Sequence, residues 1–239
     1  MVRGGEKGQS VTLFGCPTSS CRRLCFAALA KRLNCSVGWQ QARIRRHSIL
    51  KAQAGMFSVA IEPDLVMRLF ELRHTAELYN CFVANRTHLE SELPWLSQPF
   101  THDDVSAYIR AGLERFAANN GFRAGIWSSQ QLVGCFSLHT LEWADGKASL
   151  GYWLAAPFER RGIITRACQV AINYAFFELG LERLEIMCAS DNMRSRQVAM
   201  RLGFQQEGIL RRSWRRQGQL VDQVVYGLMR DEWRPAHNQ

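Results

Sequence analysis

The sequence predicts an α/β protein: one mixed, mostly antiparallel sheet with helices packed against it. Two observations carry this. Three strand-like runs, 122–127, 132–141 and 147–155, are joined by turns too short for anything but antiparallel neighbours. A strand, an amphipathic helix and another strand then follow (147–155, 163–179, 183–189), and such a unit sets its two strands side by side and parallel. With a strand at 65–72 and a hairpin over 204–229, the sheet has roughly six to seven strands and about four helices.

The chain has 239 residues, is 47% hydrophobic and carries a formal net charge of +9. Such a length makes one domain with room for an appendage. No apolar run approaches the roughly 18 residues of a membrane span, so the expectation is a soluble, cytoplasmic protein with no membrane partner. The charge is uneven: residues 1–55 hold ten Lys/Arg against the single acid Glu6, which leaves 20 of each sign in 56–239. The fold is therefore expected at 56–239, behind a basic, acid-poor, disordered extension at 1–55. A transit peptide, an arm for RNA or the ribosome, and translated sequence upstream of a start at Met56 all fit that composition. Nucleic acid is a partner only if the extension is a real arm.

Cys16, Cys21, Cys25 and Cys35 lack the close pairs of a zinc site, and Cys81, Cys135, Cys168 and Cys188 fall inside helices or strands. No metal and no structural disulfide are expected, as in a reducing compartment.

Past the strand at 65–72, a helix over 74–91 carries Leu78, Phe82 and Leu89 on one stripe. Leu93-Pro-Trp-Leu96 breaks it. Thr101-His-Asp-Asp104 opens a second helix with acids in its first turn, and Asn119-Asn-Gly121 ends it. The loop between them places Glu90 and Glu92 where an amine substrate could be walled. In the meander, Gly134 marks a bulge or a close backbone approach. Ser149, Gly151 and Trp153 share one face of the third strand; Ala148, Leu150, Tyr152 and Leu154 share the other. His139 is the one histidine of these strands, a structural residue or a base.

Pro157 stops the strand, and the basic turn Arg160-Arg-Gly162 opens the helix at 163. A helix start behind a glycine turn points free N–H groups and a positive dipole end outward, which suits a phosphate. The turn is neither a dinucleotide G-x-G-x-x-G nor a P-loop. After the strand at 183–189, Asp191 or Asn192 caps a helix on which Ser195 faces the same cleft as Val198 and Leu202.

Asp191-Asn-Met-Arg-Ser-Arg-Gln-Val-Ala-Met-Arg-Leu-Gly-Phe204, with Glu207-Gly208 behind it, resembles the D-N-x-x-S-x-x-[VA]-x-x-[KR]-x-G-F-x-x-E-G signature of RimJ/RimL-type acetyltransferases in the GCN5-related N-acetyltransferase (GNAT) superfamily. Gly151-Tyr-Trp-Leu154 and Arg161-Gly-Ile-Ile-Thr165 are similar to two further elements of that family, Arg160-Arg-Gly-Ile-Ile-Thr165 to the superfamily's [RQ]-x-x-G-x-[AGT] acyl-CoA signature, and Asn85-Arg-Thr-His-Leu89 with Pro94-Trp-Leu96 to the RimL branch. Arg161 stands where such proteins often have glycine. The likeness covers about residues 58–233.

The resemblance implies a GNAT fold whose central parallel pair splays at the acetyl-CoA site, and acetyl transfer by direct attack of an amine on the thioester. The RimL likeness implies a ribosomal protein with an N-terminal serine as acceptor; polyamines and aminoglycosides are the alternative, and a homodimer is compatible. Backbone from Arg160, Arg161, Gly162, Ile163, Ile164 and Thr165 would bind the pyrophosphate. Trp153, Leu154 and Asn192 would meet the cofactor, and Ser195 would donate to the leaving sulfur. For the general base, Glu90, Glu92, His139 and a backbone-held water stay open. A non-catalytic acyl-CoA binder and a ribosome- or RNA-binding protein are the other classes.

Overall fold

The computed structural model describes residues 57–235; the extension at 1–55 and its four cysteines lie outside them. The described residues build one eight-stranded sheet. β1 (Ser58–Glu62) and β2 (Leu65–Leu69) form an opening hairpin. β1 is the strand the sequence pattern does not announce. Ile61 packs on the core while Val59 stays exposed, so its apolar alternation is weak.

The single helix expected over 74–91 is two, α1 (Thr75–Ala84) and α2 (Arg86–Leu89). Asn85 makes the break. Its Nδ2 donates to the Cys81 carbonyl at 2.9 Å, and its Oδ1 accepts from the Ala156 N–H at 3.1 Å. The break thus ties α1 to the loop behind the third meander strand. α3 (His102–Ala117) starts as its sequence demands: the Thr101 N–H donates to Asp104 Oδ2 at 2.7 Å, and the Asp104 N–H donates to Thr101 Oγ1 at 3.3 Å.

The meander is β3 (Phe122–Ser128), β4 (Gln131–Glu142) and β5 (Lys147–Leu154). Its pairing slips by one residue at Ile126/Trp127, opposite Gly134. A Cβ on Gly134 would lie 2.6 Å from the Trp153 carbonyl oxygen, so the bulge and the close approach coincide. α4 (Ile163–Asn173) runs into a π turn over Tyr174–Glu178 and returns to β6 (Arg183–Ala189). α5 (Met193–Arg201), β7 (Gln205–Arg216) and β8 (Gln219–Met229) complete the fold. The sheet order is β1-β2-β3-β4-β5-β6-β8-β7, with β5 and β6 the parallel pair.

Each face of the sheet buries its own core. Trp127, Cys135 and Trp153 point to one face and meet Leu78, Phe82, Val105 and Ile109 of α1 and α3. Phe136, Leu150 and Ile186 point to the other and meet Ile164, Ala167 and Ala171 of α4. The two-residue alternation read along β5 therefore holds. The four described cysteines are free thiols, and burial pushes Cys81 and Cys135 up to about 12.

Candidate active site

The parallel ladder is short. It runs from Lys147 opposite Arg183 to Leu150 opposite Ile186 and stops. β5 continues to Leu154 and β6 to Ala189 without facing bonds, so the sheet opens at its centre. A cavity of about 860 Å³ occupies this opening. Its lining comes from both faces: Gly162, Ile164, Thr165 and Val198 from the α4–α5 side, Tyr108, Arg115 and Cys135 from the α3 side. Side chains of opposite faces share one cavity because the gap between β5 and β6 joins them.

On the α4–α5 side the start of α4 adds backbone groups to the side chains of Arg160, Asn192, Arg194, Ser195 and Arg201. Gly162 is the N-cap of α4 at φ 71°, in the left-handed region, and has no side chain to cap the helix. The first-turn N–H groups therefore receive no side-chain cap from Gly162. Arg160 is also left-handed, at φ 61°. The position that favours glycine is therefore Arg160 and not Arg161. Arg161 is exposed, outside the cavity lining, with its guanidinium 5.0 Å from the Phe158 ring centre, so it neither narrows the loop nor reaches into the cavity. Arg160, Gly162, Ile163, Ile164 and Thr165 do line it. Thr165 Oγ1 accepts from Arg201 at 3.0 Å.

Asn192 caps α5 by accepting from the Ser195 N–H at 3.0 Å. The cap presents Ser195 to the gap, where its Oγ lies 3.0 Å from the Tyr152 hydroxyl. Burial, and secondarily Cys168, raises the Tyr152 pKa well above the usual phenol value, so this phenol stays protonated. Tyr152 carries no functional signal in the sequence beyond its motif; only the juxtaposition of β5 and α5 reveals the pair.

Trp153 and Leu154 both line the cavity. The Trp153 ring packs on Phe82, with centroids 5.2 Å apart, and the Leu154 carbonyl sits 3.2 Å from His88 Nε2. His88, 3.3 Å from Glu159 Oε1, is a lining residue the sequence reading passed over.

On the α3 side the side chains are ionisable. Glu92 lines the cavity, 3.9 Å from Arg216. Arg216 is the last residue of β7 and also pairs with Asp191. Glu90, the C-cap of α2, does not line the cavity. His139 does line it, with Nδ1 3.4 Å from Ser137 Oγ. Burial first, then Arg115 and Arg123, lowers its pKa to about 4, so it is a neutral imidazole and a weak base. Among the described residues no group of three His, Cys, Asp or Glu could hold a metal ion.

The sequence matches the family model described as an acetyltransferase (GNAT) domain over residues 64–205. YdaF of Bacillus subtilis (strain 168), whose name places it among the N-acetyltransferases, is 36% identical over 74% of this chain and 98% of its own. The ribosomal-protein-serine acetyltransferase of Escherichia coli (strain K12) is 27% identical over 65% of this chain and 87% of its own. Among solved structures, a probable acetyltransferase superposes with a TM-score of 0.69 at 37% identity, covering 75% of this chain and all of the other. RimL in complex with coenzyme A shares the fold at a TM-score of 0.69 and 21% identity, over 72% of this chain and 97% of that one. With the open sheet and the glycine-capped helix, these matches make the chain a member of the GNAT acetyltransferase family, an enzyme whose acyl donor is acetyl-CoA.

Proposed function

We propose that this acetyltransferase modifies the α-amino group at the N-terminus of a protein, with a ribosomal protein beginning in serine as the acceptor. The charge of the cavity carries this reading. Its described carboxylates, Glu92, Glu159 and Asp191, each lie beside an arginine, and six arginines line it: Arg115, Arg123, Arg160, Arg194, Arg201 and Arg216. A polyamine or aminoglycoside would enter against an excess of like charge. A cavity without a strong base also suits an amine that is already partly neutral. An α-amino group titrates near about 7.7–8.0, whereas a lysine-like amine near about 10.4 is neutral in roughly one molecule in a thousand at neutral pH. The E. coli relatives named for ribosomal-protein serine and for uS5 alanine support the same acceptor class.

The residues fit the donor. Gly162 leaves the start of α4 open to a pyrophosphate, Arg160 and Arg201 stand beside it, and the facing edges of β5 and β6 offer unpaired backbone to a pantetheine arm. Asn192 commits its Oδ1 to capping α5, so its Nδ2 is the atom left for the cofactor. Ser195, braced by Tyr152, donates its hydroxyl hydrogen to the departing sulfur. The amine loses its proton to water beside Glu92, the remaining cavity carboxylate among the candidate bases.

The catalytic domain is 56–239 and the basic stretch 1–55 is a separate extension. The reaction belongs in the cytoplasm, where ribosomal proteins are made. No helix among the described residues is long and apolar enough to cross a membrane. The test is acetyl-CoA-dependent thiol release by the full chain and by residues 56–239, against Ser-starting peptides, polyamines and aminoglycosides. Both proteins should turn over the peptides at least about tenfold more efficiently than the small amines. Turnover confined to small amines would overturn the acceptor, and loss of activity in a folded 56–239 would overturn the division.

A further inference from the structure

Two of the cavity's arginines lie away from the donor's end. Arg115 of α3 and Arg123 of β3 sit on the α3 face, across the sheet from Gly162. Neither has a carboxylate partner among the described residues. Arg123 donates through Nη1 to the Tyr108 carbonyl at 2.5 Å and stacks on the Tyr108 ring, 3.7 Å from its centre. Arg115 is half-buried, and its pKa is lowered by burial first and then by the like charge of Arg123. Two neighbouring cations held without a counter-charge in a recess are arranged for an anion from outside.

The register places this recess relative to the gap. Arg123 pairs with Ser137, and Ser137 pairs with Gly151, so the three form one row across β3, β4 and β5. Gly151 is the first β5 residue past the end of the parallel ladder. A Cβ there would come within 2.9 Å of Ser137 Oγ and 3.0 Å of His139 Cε1, so the glycine keeps the floor between recess and gap open. At strand spacings of about 4.8 Å the row spans roughly 10 Å, and at about 3.3 Å per residue that is two to three residues of extended peptide.

We propose that the recess of Arg115, Arg123, Ser137 and His139 is a specificity site for a carboxylate on the acceptor, supplied by an acidic side chain at the second or third residue of the N-terminus being acetylated. The site makes the enzyme selective for N-termini of the type Ser-Asp or Ser-x-Glu. It rests on the acceptor being an N-terminal amine. A small amino acid could present the same chemistry through its own carboxylate.

Steady-state acetylation by the full chain separates these cases. The peptides are Ser-Asp, Ser-Asn, Ser-Lys, Ser-Gly-Glu and Ser-Gly-Gln hexamers with otherwise identical sequence, together with free serine and serinamide. The wild type should favour Ser-Asp over Ser-Asn by about tenfold or more in kcat/KM, chiefly through KM, and Ser-Lys should be the poorest. Arg115→Gln and Arg123→Gln should each cut the Asp/Asn ratio severalfold, and the double variant should bring it to within twofold of unity. Arg115→Lys should keep part of it, which a merely structural role would not require. Acetyl-CoA affinity, set on the other face, checks that the variants are folded.

Equal use of the acidic and amide peptides at both positions by the wild type, or a ratio that survives the double substitution, overturns the proposal. Free serine preferred over serinamide, with no preference for acid over amide at either position, overturns the peptide source. Calorimetric titration of the enzyme loaded with coenzyme A, using the N-acetylated Asp and Asn peptides, reads the same ratio as Kd. The recess is therefore tested even if the acceptor reading fails and no peptide turns over.

Discussion

The two sides of the cavity are built from different materials. On the α4–α5 side, the lining groups are main-chain N–H groups behind Gly162, a cap at Asn192, two hydroxyls and the guanidinium groups of Arg160, Arg194 and Arg201. On the α3 side they are Arg115, Arg123, His139 and Glu92, side chains that carry or can carry charge. Free N–H groups at a helix start suit a ligand that carries phosphate. Under the proposed function the second side would face the acceptor.

If that division is right, acid should act through the α3 side. His139 is held at about 4 in the fold against 6.5 when unfolded. As pH falls, the unfolded chain binds this proton first. Stability is therefore full above about 6.5 and is lost down to about 4, by roughly 3 kcal/mol. Urea unfolding at pH 7 and pH 4.5 should show this loss in the wild type, and a flatter profile in His139→Gln. Equal slopes would mean that the α3 side carries no titrating load.

Ser195 stands where the two sides meet. Ser195→Ala should lower kcat by about a hundredfold with the acetyl-CoA Kd within a fewfold of wild type, and Tyr152→Phe by about tenfold. A change seen only in Kd would make Ser195 part of the donor cradle instead. Gly162→Val probes that cradle directly. A branched side chain at φ 71° costs about 1–2 kcal/mol, and its Cβ would lie 2.8 Å from Arg166 Nη1. Isothermal titration should show acetyl-CoA bound about tenfold more weakly, while the acceptor KM holds. Glu92→Gln should have the smallest effect, a loss of no more than about fivefold in kcat/KM. Its pH–rate profile should still rise with the acceptor's own amine, near about 8. Disappearance of that limb would make Glu92 an obligate base.

What the sequence reveals follows the same division. The α4–α5 side is legible because it depends on local chain chemistry: a glycine turn before a helix, an Asn cap three residues ahead of a serine, a strand stopped by proline. Each leaves its mark within a few neighbouring residues. The α3 side comes from α2, α3, β3, β4 and the end of β7, brought together only by the sheet order. Arg115, Arg123 and Arg216 therefore look like ordinary charged residues in the sequence. Glu90 and Glu92 are two residues apart on one loop, yet of the two Glu92 alone lines the cavity. The Asn85 break had a weak trace, a poor helix former in mid-helix, but its partner is the Ala156 N–H, 71 residues away.

The short ladder between β5 and β6 has a thermodynamic consequence. Four paired positions hold the centre of an eight-stranded sheet, and beyond them two strand edges face each other unmet. Edges inside a protein are normally closed by a neighbour. Here the seam is finished by whatever lies in it, so occupancy and folding become one equilibrium. At a hundred times its Kd, a bound donor adds about 2.7 kcal/mol, which for a domain of this size raises Tm by roughly 5–10 °C. Slowed amide exchange should be concentrated along 151–154 and 187–189. The enzyme's half-life in a cell would then follow its supply of acetyl-CoA, and scarcity would thin the enzyme as well as starve it.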